Sequence, residues 1–395
     1  KAERSLRAGH PWVYGEEVTA VEGAYQNGDM VDVVSNKGRY LGTGWVNDHS
    51  KIRVRIISRN ANDTFDEAFF RRRVCYALNY RKTVMGPVDY RCCRLIFGEA
   101  DQFPGLTVDR FENILVTQVL SLGMERRKDW VYRALVELLR EDGEQIDAIY
   151  ERNDVAIRTL EGLEQGKGFY QMEGLRTDLS GHVTITENGI KYDVDYIEGQ
   201  KTGFFLDQKY NRQAAAKLAR GRRVLDCFTH TGAFALNAAA AGAEHVTAVD
   251  VSAFALELAA ENGKRNGLTN LDYKCADVFD LLTEMAKEKK CDYDYIILDP
   301  PAFTKSRATA KNAYHGYKEI NRKAMRLLPR GGYLATCSCS HFMTDEMFRK
   351  MLQEAALDAG VTLRQIEARQ QAPDHPILPG VPETDYLKFY LLQVV

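Results

Sequence analysis

The sequence predicts an α/β protein. A doubly wound, mostly parallel sheet fills the C-terminal half, preceded by a small β-rich unit and a mixed α+β region. Three observations carry this. From residue 183 onward, short β-rich apolar runs alternate with helical stretches, as they do where strands lie between two layers of helices. Residues 295–298, Tyr-Ile-Ile-Leu, are apolar without alternation and run into Asp299-Pro300-Pro301. That is how a strand buried on both faces reads when prolines stop it at its carboxyl end. The chain has 395 residues, more than one ordinary core accommodates, so two or three domains are expected.

Composition narrows the class. Hydrophobic content is 45% and net charge is -2, so the chain is globular and is no polycation. Residues 1–82 hold 14 Lys+Arg against 10 Asp+Glu, a mild basic excess. No apolar run approaches the roughly 20 residues of a membrane span. Lys1-Ala-Glu-Arg-Ser-Leu-Arg7 lacks the apolar core of a signal peptide. The eight cysteines show no paired CxxC spacing, which argues against a zinc site or a disulfide framework. A cytoplasmic protein with free thiols, no metal and no membrane partner is expected.

Taken in order, residues 1–72 form the β-rich unit. Residues 29–34 alternate and meet the turn Asn36-Lys-Gly38. Strands follow at 40–45 and 51–57. In the second of these, Lys51, Arg53 and Arg55 share one face and form a candidate row of phosphate contacts, with a solvated face as the plain alternative. Residues 73–182 form the mixed region. Strands are expected on either side of the Pro104-Gly105 turn and at 113–120, 148–152 and 156–160. Residues 124–139 have helical spacing, and 161–174 read as a glycine-rich connection. Residues 183–395 open with a hairpin around Asn188-Gly189. Strands are then expected at 223–226, 245–250, 272–275, 295–298, 332–337, 363–368 and 387–394. Helices are expected at 233–241, 253–266, after the 272–275 strand through Lys289, 317–328 and 345–360.

In such sheets ligands bind outside the carboxyl ends of the strands. The first strand ends in Asp226-Cys-Phe-Thr-His-Thr-Gly232. A single glycine argues against a dinucleotide, whose pyrophosphate needs several. Asp250 ends the second strand, where a carboxylate can accept both hydroxyls of a ribose. Asp277 ends the third, where an acid can meet the exocyclic amine of an adenine. Each acid alone also reads as a helix N-cap. Together they favour S-adenosylmethionine, whose sulfonium suits an acid-lined pocket. The cofactor set is Asp226, Phe228, Thr229, Thr231, Gly232, Asp250, Ser252, Asp277, Val278 and Asp299.

The strand through Gly331-Gly-Tyr-Leu-Ala-Thr-Cys-Ser-Cys-Ser340 is expected beside the 295–298 strand, about 4.8 Å away. Cys337 reads as a small buried hydrophobe. Cys339, nearer the carboxyl end and expected level with Asp299, is a candidate nucleophile. A thiolate adding at carbon 6 of a pyrimidine makes carbon 5 able to attack a methyl sulfonium. For cytosine, an acid near N3 stabilises the adduct, and Asp299 with a raised pKa fits that role.

These residues resemble the bacterial 23S ribosomal RNA 5-methylcytosine methyltransferases that carry an N-terminal PUA domain. The resemblance runs nearly end to end. It rests on His10-Pro-Trp-Val, Gly98-Glu-Ala-Asp and Pro104-Gly-Leu-Thr-Val-Asp-Arg110. It continues through Lys201-Thr-Gly-Phe-Phe-Leu-Asp-Gln208, Asn211-Arg212, the segment 226–232, Asp299-Pro-Pro-Ala-Phe303, Ser338-Cys-Ser340 and Asp374-His-Pro376. It implies a PUA domain, an α+β middle domain and a Rossmann-like class I methyltransferase domain. It implies Cys339 as the nucleophile, although Thr336-Cys337-Ser338 also matches the TCS of other RNA cytosine methyltransferases. It adds Asp207 and Gln208, near the methionine moiety, to the cofactor set. It makes 23S ribosomal RNA the expected partner and leaves a homodimer open. By the same measure the first PUA strand is expected to be incomplete. His375 and Lys388 are further candidates for the pocket. Two other functions remain: an amino- or ring-nitrogen methyltransferase, which needs no cysteine, and an RNA-binding factor without catalysis.

Overall fold

The computed structural model describes residues 2–288, 291–303 and 310–395, and the chain forms two units. The second comprises Thr186–Asp193, Asp207–Ala372 and Asp385–Val395. Its seven strands are β1 (Arg223–Cys227), β2 (His245–Asp250), β3 (Leu271–Cys275), β4 (Tyr295–Leu298), β5 (Tyr333–Ser338), β6 (Leu363–Arg369) and β7 (Lys388–Val394). Across the sheet they lie in the order β3-β2-β1-β4-β5-β7-β6. The first five are parallel, and β7 runs antiparallel to both β5 and β6. The order reverses between β1 and β4, which opens a crevice at their carboxyl ends.

The helices are α1 (Lys209–Ala216), α2 (Ala233–Ala240), α3 (Ala253–Arg265), α4 (Val278–Glu288), α5 (Ala310–Leu327) and α6 (Asp345–Ala359). The helix expected through Lys289 is described to Glu288, and Lys289 lies outside the described residues. The unbroken apolar run of β4 explains itself here. Ile296 and Leu298 pack into one core with Ile320, Met325, Phe348 and Met351. Tyr295 and Ile297 pack into another with Ala214, Phe234, Ala235 and Ala238. Each buried aliphatic side chain contributes roughly 1.5–3 kcal/mol, so β4 is held from both sides.

The first unit covers residues up to Ile185, Val194–Leu206 and Pro373–Thr384. It holds a four-stranded antiparallel sheet of Trp12–Tyr14, Ile52–Ser58, Tyr40–Val46 and Met30–Val34. A five-stranded sheet follows, ordered Cys92–Phe97, Leu106–Phe111, Ile114–Val119, Ala148–Asn153 and Gly166–Phe169. The hairpin His182–Glu187 and Ile190–Asp195, whose residues Thr186–Asp193 are counted in the second unit, forms as expected, with φ of 53° at Asn188 and 80° at Gly189.

Several expectations for this half are corrected. A helix, Glu67–Asp89, which the sequence did not announce, begins at the side-chain cap of Asp66. Its weak amphipathic spacing hid it. The helical run at 124–139 is two helices, Leu122–Glu125 and Lys128–Glu141. The strand expected at 156–160 is a 3-10 helix, Ala156–Glu161, because Ile157 and Leu160 face out while Arg158 turns in and donates to Glu164 O at 2.7 Å. The glycine-rich connection contains the strand Gly166–Phe169, which needs only its backbone to pair with Ala148–Asn153.

Candidate active site

The crevice side of the second unit begins at the end of β1. Asp226 is fully buried, and Thr229 Oγ1 donates to its Oδ2 at 2.5 Å. The chain then turns sharply, with φ of 63° at Phe228, 51° at His230 and 84° at Gly232. Left-handed backbone at two residues with side chains stores strain of order 1–3 kcal/mol each, and such strain concentrates at ligand sites. Gly232 is obligatory there: a Cβ would stand 2.6 Å from Leu236 Cδ1 and 2.9 Å from Ala259 Cβ. Asp250, at the end of β2, locks the turn in place. Its Oδ2 accepts from His230 N and its Oδ1 from Ser252 N, both at 2.9 Å. Ser252 itself caps α3 through Ala255 N. Asp277, past β3, accepts from Phe279 N and Asp280 N. It is thus a cap of α4 as well as an exposed acid at the mouth, while Val278 beside it is buried.

Burial pushes the Asp226 carboxyl up to about 7, with Thr229 opposing and the charge of Asp299 adding to the rise. Its Oδ1 is buried without a hydrogen-bond partner among the described residues. Burial likewise takes Asp299 up to about 6; Arg212 pulls it down and Asp207 pushes it up. Two strained carboxylates at neighbouring strand ends, one with an orphaned oxygen, fit a cationic ligand that brings hydrogen-bond donors. S-adenosylmethionine meets that requirement, and the single-glycine turn fits its lack of phosphates.

Asp299 is oriented by a chain of side chains. Gln208 Nε2 donates to Asp299 Oδ1 at 3.0 Å, Asn211 Nδ2 donates to Gln208 Oε1 at 2.7 Å, and Arg369 Nε donates to Asn211 Oδ1 at 3.1 Å. Asp207 accepts from Tyr386 OH at 2.6 Å and is buried. Asn211, Arg369 and Tyr386 were missed as site residues. The motif residues Asn211-Arg212, one helical turn past Gln208, were the available signal for the first of them.

The register alters one expectation. Leu298 pairs with Thr336, so Cys337 rather than Cys339 stands level with Asp299, and the Cys337 thiol lies against both Asp299 and Gln208. Cys337 is fully buried, and burial pushes its thiol well up, away from the reactive thiolate. Cys339 lies one residue past the end of β5, is half-buried, and is close enough to Lys388 and Tyr317 for its charge to act on both.

Other candidates fall in the first unit. His375 is buried there, its Nδ1 at 2.9 Å from Asp374 Oδ1 and its ring against Phe97. Of the cationic row, Lys51 is exposed and Arg53 pairs with Asp48. Arg55 is turned inward and bridges Glu161 at 2.8 Å and Glu99 at 3.4 Å, so it is committed to its own unit. Burial pushes Glu161 up, but Arg55 and the bonds from Ser50 and Asn47 outweigh it and hold it below its ordinary value. A carboxylate depressed in this way stabilises the fold at neutral pH and loses that effect as pH falls through its folded pKa. Arg55→Ala leaves Glu161 buried and unpaired, so it should cost about 3–5 kcal/mol at pH 7 and progressively less at acid pH. Urea unfolding at the two pH values checks this, and an unchanged midpoint would return Arg55 to a surface role.

No described helix is long and apolar enough to cross a membrane. Residues 1–59 match the PUA-like domain family, and residues 170–392 match the S-adenosylmethionine-dependent methyltransferase family. The chain is 40% identical over 395 residues to a ribosomal RNA large subunit methyltransferase I of Pseudoalteromonas atlantica, covering 100% of this chain and 97% of that one. It is 42% identical over 395 residues to the protein of that name from Photobacterium profundum, covering 99% and 97%. A protein described as a methyltransferase and solved complexed with SAH shares the fold at a TM-score of 0.83 and 22% identity, covering 100% of this chain and 98% of that one.

Proposed function

Because the chain belongs to the family of the ribosomal RNA large subunit methyltransferases I, with a PUA-like domain ahead of an S-adenosylmethionine-dependent methyltransferase domain, we propose that it methylates carbon 5 of a cytosine in 23S ribosomal RNA. It does so in the cytoplasm, through a covalent bond between Cys339 and carbon 6 of the base. One observation carries the finer reading. At the ends of adjacent strands, a near-neutral carboxyl, Asp299, is held by Gln208, and an accessible cysteine, Cys339, follows the partner strand.

The Cys339 thiolate adds to carbon 6, and the ring electrons move towards N3. Asp299, with a pKa near 6, donates a proton there, which leaves carbon 5 enamine-like. The bound cofactor supplies an electrophilic methyl group. Transfer of the carbon 5 proton to a base then expels the thiolate, and return of the N3 proton to Asp299 restores the neutral aromatic ring. Asp250 would hold the ribose hydroxyls of the cofactor, Asp277 its adenine amine, and Asp207 and Gln208 its methionine end. The turn residues Phe228, Thr229 and Thr231 wall the site. Lys51 and Arg53 are the remaining phosphate contacts of the cationic row.

Incubation with labelled S-adenosylmethionine and unmodified 23S ribosomal RNA, then digestion to nucleosides, tests the reading. Labelled 5-methylcytosine is expected. Label in a purine, or on the exocyclic nitrogen of cytosine, would keep the cofactor site and overturn the thiolate mechanism.

A further inference from the structure

Lys388 stands opposite Ser338 in the β5–β7 ladder, immediately before Cys339 in that strand's path. It is buried, at 3% exposure. Its Nζ donates to Ser340 O at 2.6 Å and to Tyr386 O at 2.7 Å. The first of these carbonyls lies one residue past Cys339, so the amine is pinned to the backbone that carries the thiol. An ammonium has three donors, and two carbonyls leave one over. Among the described residues its hydrogen bonds go to carbonyls and no carboxylate is within salt-bridge distance, so burial of the ammonium is costly. Of the charges that act on it, that of Cys339 is the largest.

We infer that Lys388 is a positioning residue that keeps Cys339 as its thiolate, an inference that rests on Cys339 being the nucleophile. The proton passes from Sγ to Nζ, converting a thiol and a neutral amine into a thiolate and an ammonium. The ammonium keeps this proton while the thiolate attacks carbon 6, and it pairs again with the thiolate that is expelled when the adduct collapses. The charges around Lys388 suit this. Burial lowers its pKa to about 8, while Cys339, Asp385 in the preceding loop and Asp345 at the start of α6 work in the other direction. Tyr317 of α5 faces Cys339 as well. A lysine poised near neutrality can both take the proton and hold the charge.

Alkylation of Cys339 by iodoacetamide, followed by mass spectrometry of the full-length protein across pH, reads the thiolate without RNA. Wild type should show a midpoint below the ordinary thiol value of about 8.5. Lys388→Met should raise that midpoint by about one unit and slow alkylation at neutral pH about tenfold. Lys388→Arg keeps the charge and should stay near wild type. An unchanged midpoint in Lys388→Met, or an equal rise in both variants, overturns the inference. If Lys388→Met fails to fold, judged by calorimetric binding of S-adenosylmethionine, the wild-type thiolate absorbance measured against Cys339→Ser decides. A midpoint at or above the ordinary value then sinks the inference, and one below it supports it. Full methylation by Cys339→Ala would overturn the nucleophile reading instead and leave the alkylation result standing.

Discussion

Cys339→Ala should abolish 5-methylcytosine formation, by on the order of 10⁴-fold or more in kcat/KM, while S-adenosylmethionine still binds with affinity unchanged to within about threefold. The two effects separate because the residues assigned to the cofactor sit at the ends of β1, β2, β3 and β4 and just before α1, whereas Cys339 follows β5. Truncating one half-buried thiol past the end of a strand removes little packing. RNA carrying 5-fluorocytosine sharpens the test. Fluorine cannot leave as a proton does, so wild type should accumulate an RNA adduct that survives denaturation and Cys339→Ala should not. Cys337→Ala is the control, since that thiol is fully buried and pushed up by its surroundings. It should lower stability and leave the adduct. Full methylation by Cys339→Ala would transfer the chemistry to the nitrogen-methylating alternative.

Asp299→Asn carries the second large effect, and its sign differs between activity and stability. The asparagine keeps an oxygen for Gln208 but has no proton to give to N3. Turnover should therefore fall by about 10²–10⁴. Stability should move the other way. The folded pKa of Asp299 is raised from 3.8 to about 6, so the folded state holds a proton that the unfolded chain has released. Stability is lost as pH rises through that window, and above it the buried charge costs on the order of 3 kcal/mol. At pH 8 the variant should melt at or above wild type, and the difference should vanish near pH 4. Removing this charge also relieves Asp226, whose rise Asp299 contributes to. A variant that melts lower at pH 8 and retains turnover would show that Asp299 is neither strained nor a proton donor.

The methyltransferase sheet was legible because its determinants are local. The 295–298 strand announces burial on both faces by its unbroken apolar run, and the structure gives it those bounds. Asn188-Gly189 announces its turn by two residues that tolerate positive φ. Asp226, Asp250 and Asp277 end successive strands, so chain direction alone delivers them to one edge. The first half was less legible. The helix Glu67–Asp89 and the inward Arg158 depend on partners distant in sequence, and the strand Gly166–Phe169 lies in a segment that by composition is only flexible.

The sequence by itself determined which residue types are available for chemistry and, through alternation and strand ends, the edge of the sheet on which they gather. Tertiary structure alone decided what each can do. Register set Cys337 beside Asp299 and carried Cys339 past the strand end, a shift of two residues that no periodicity reports. Long-range pairing turned Arg55 from a surface cation into the counter-charge of Glu161. Burial raised Asp226 and Asp299 and lowered Lys388, because a charge's cost depends on the water removed from around it and on the neighbours folding brings close.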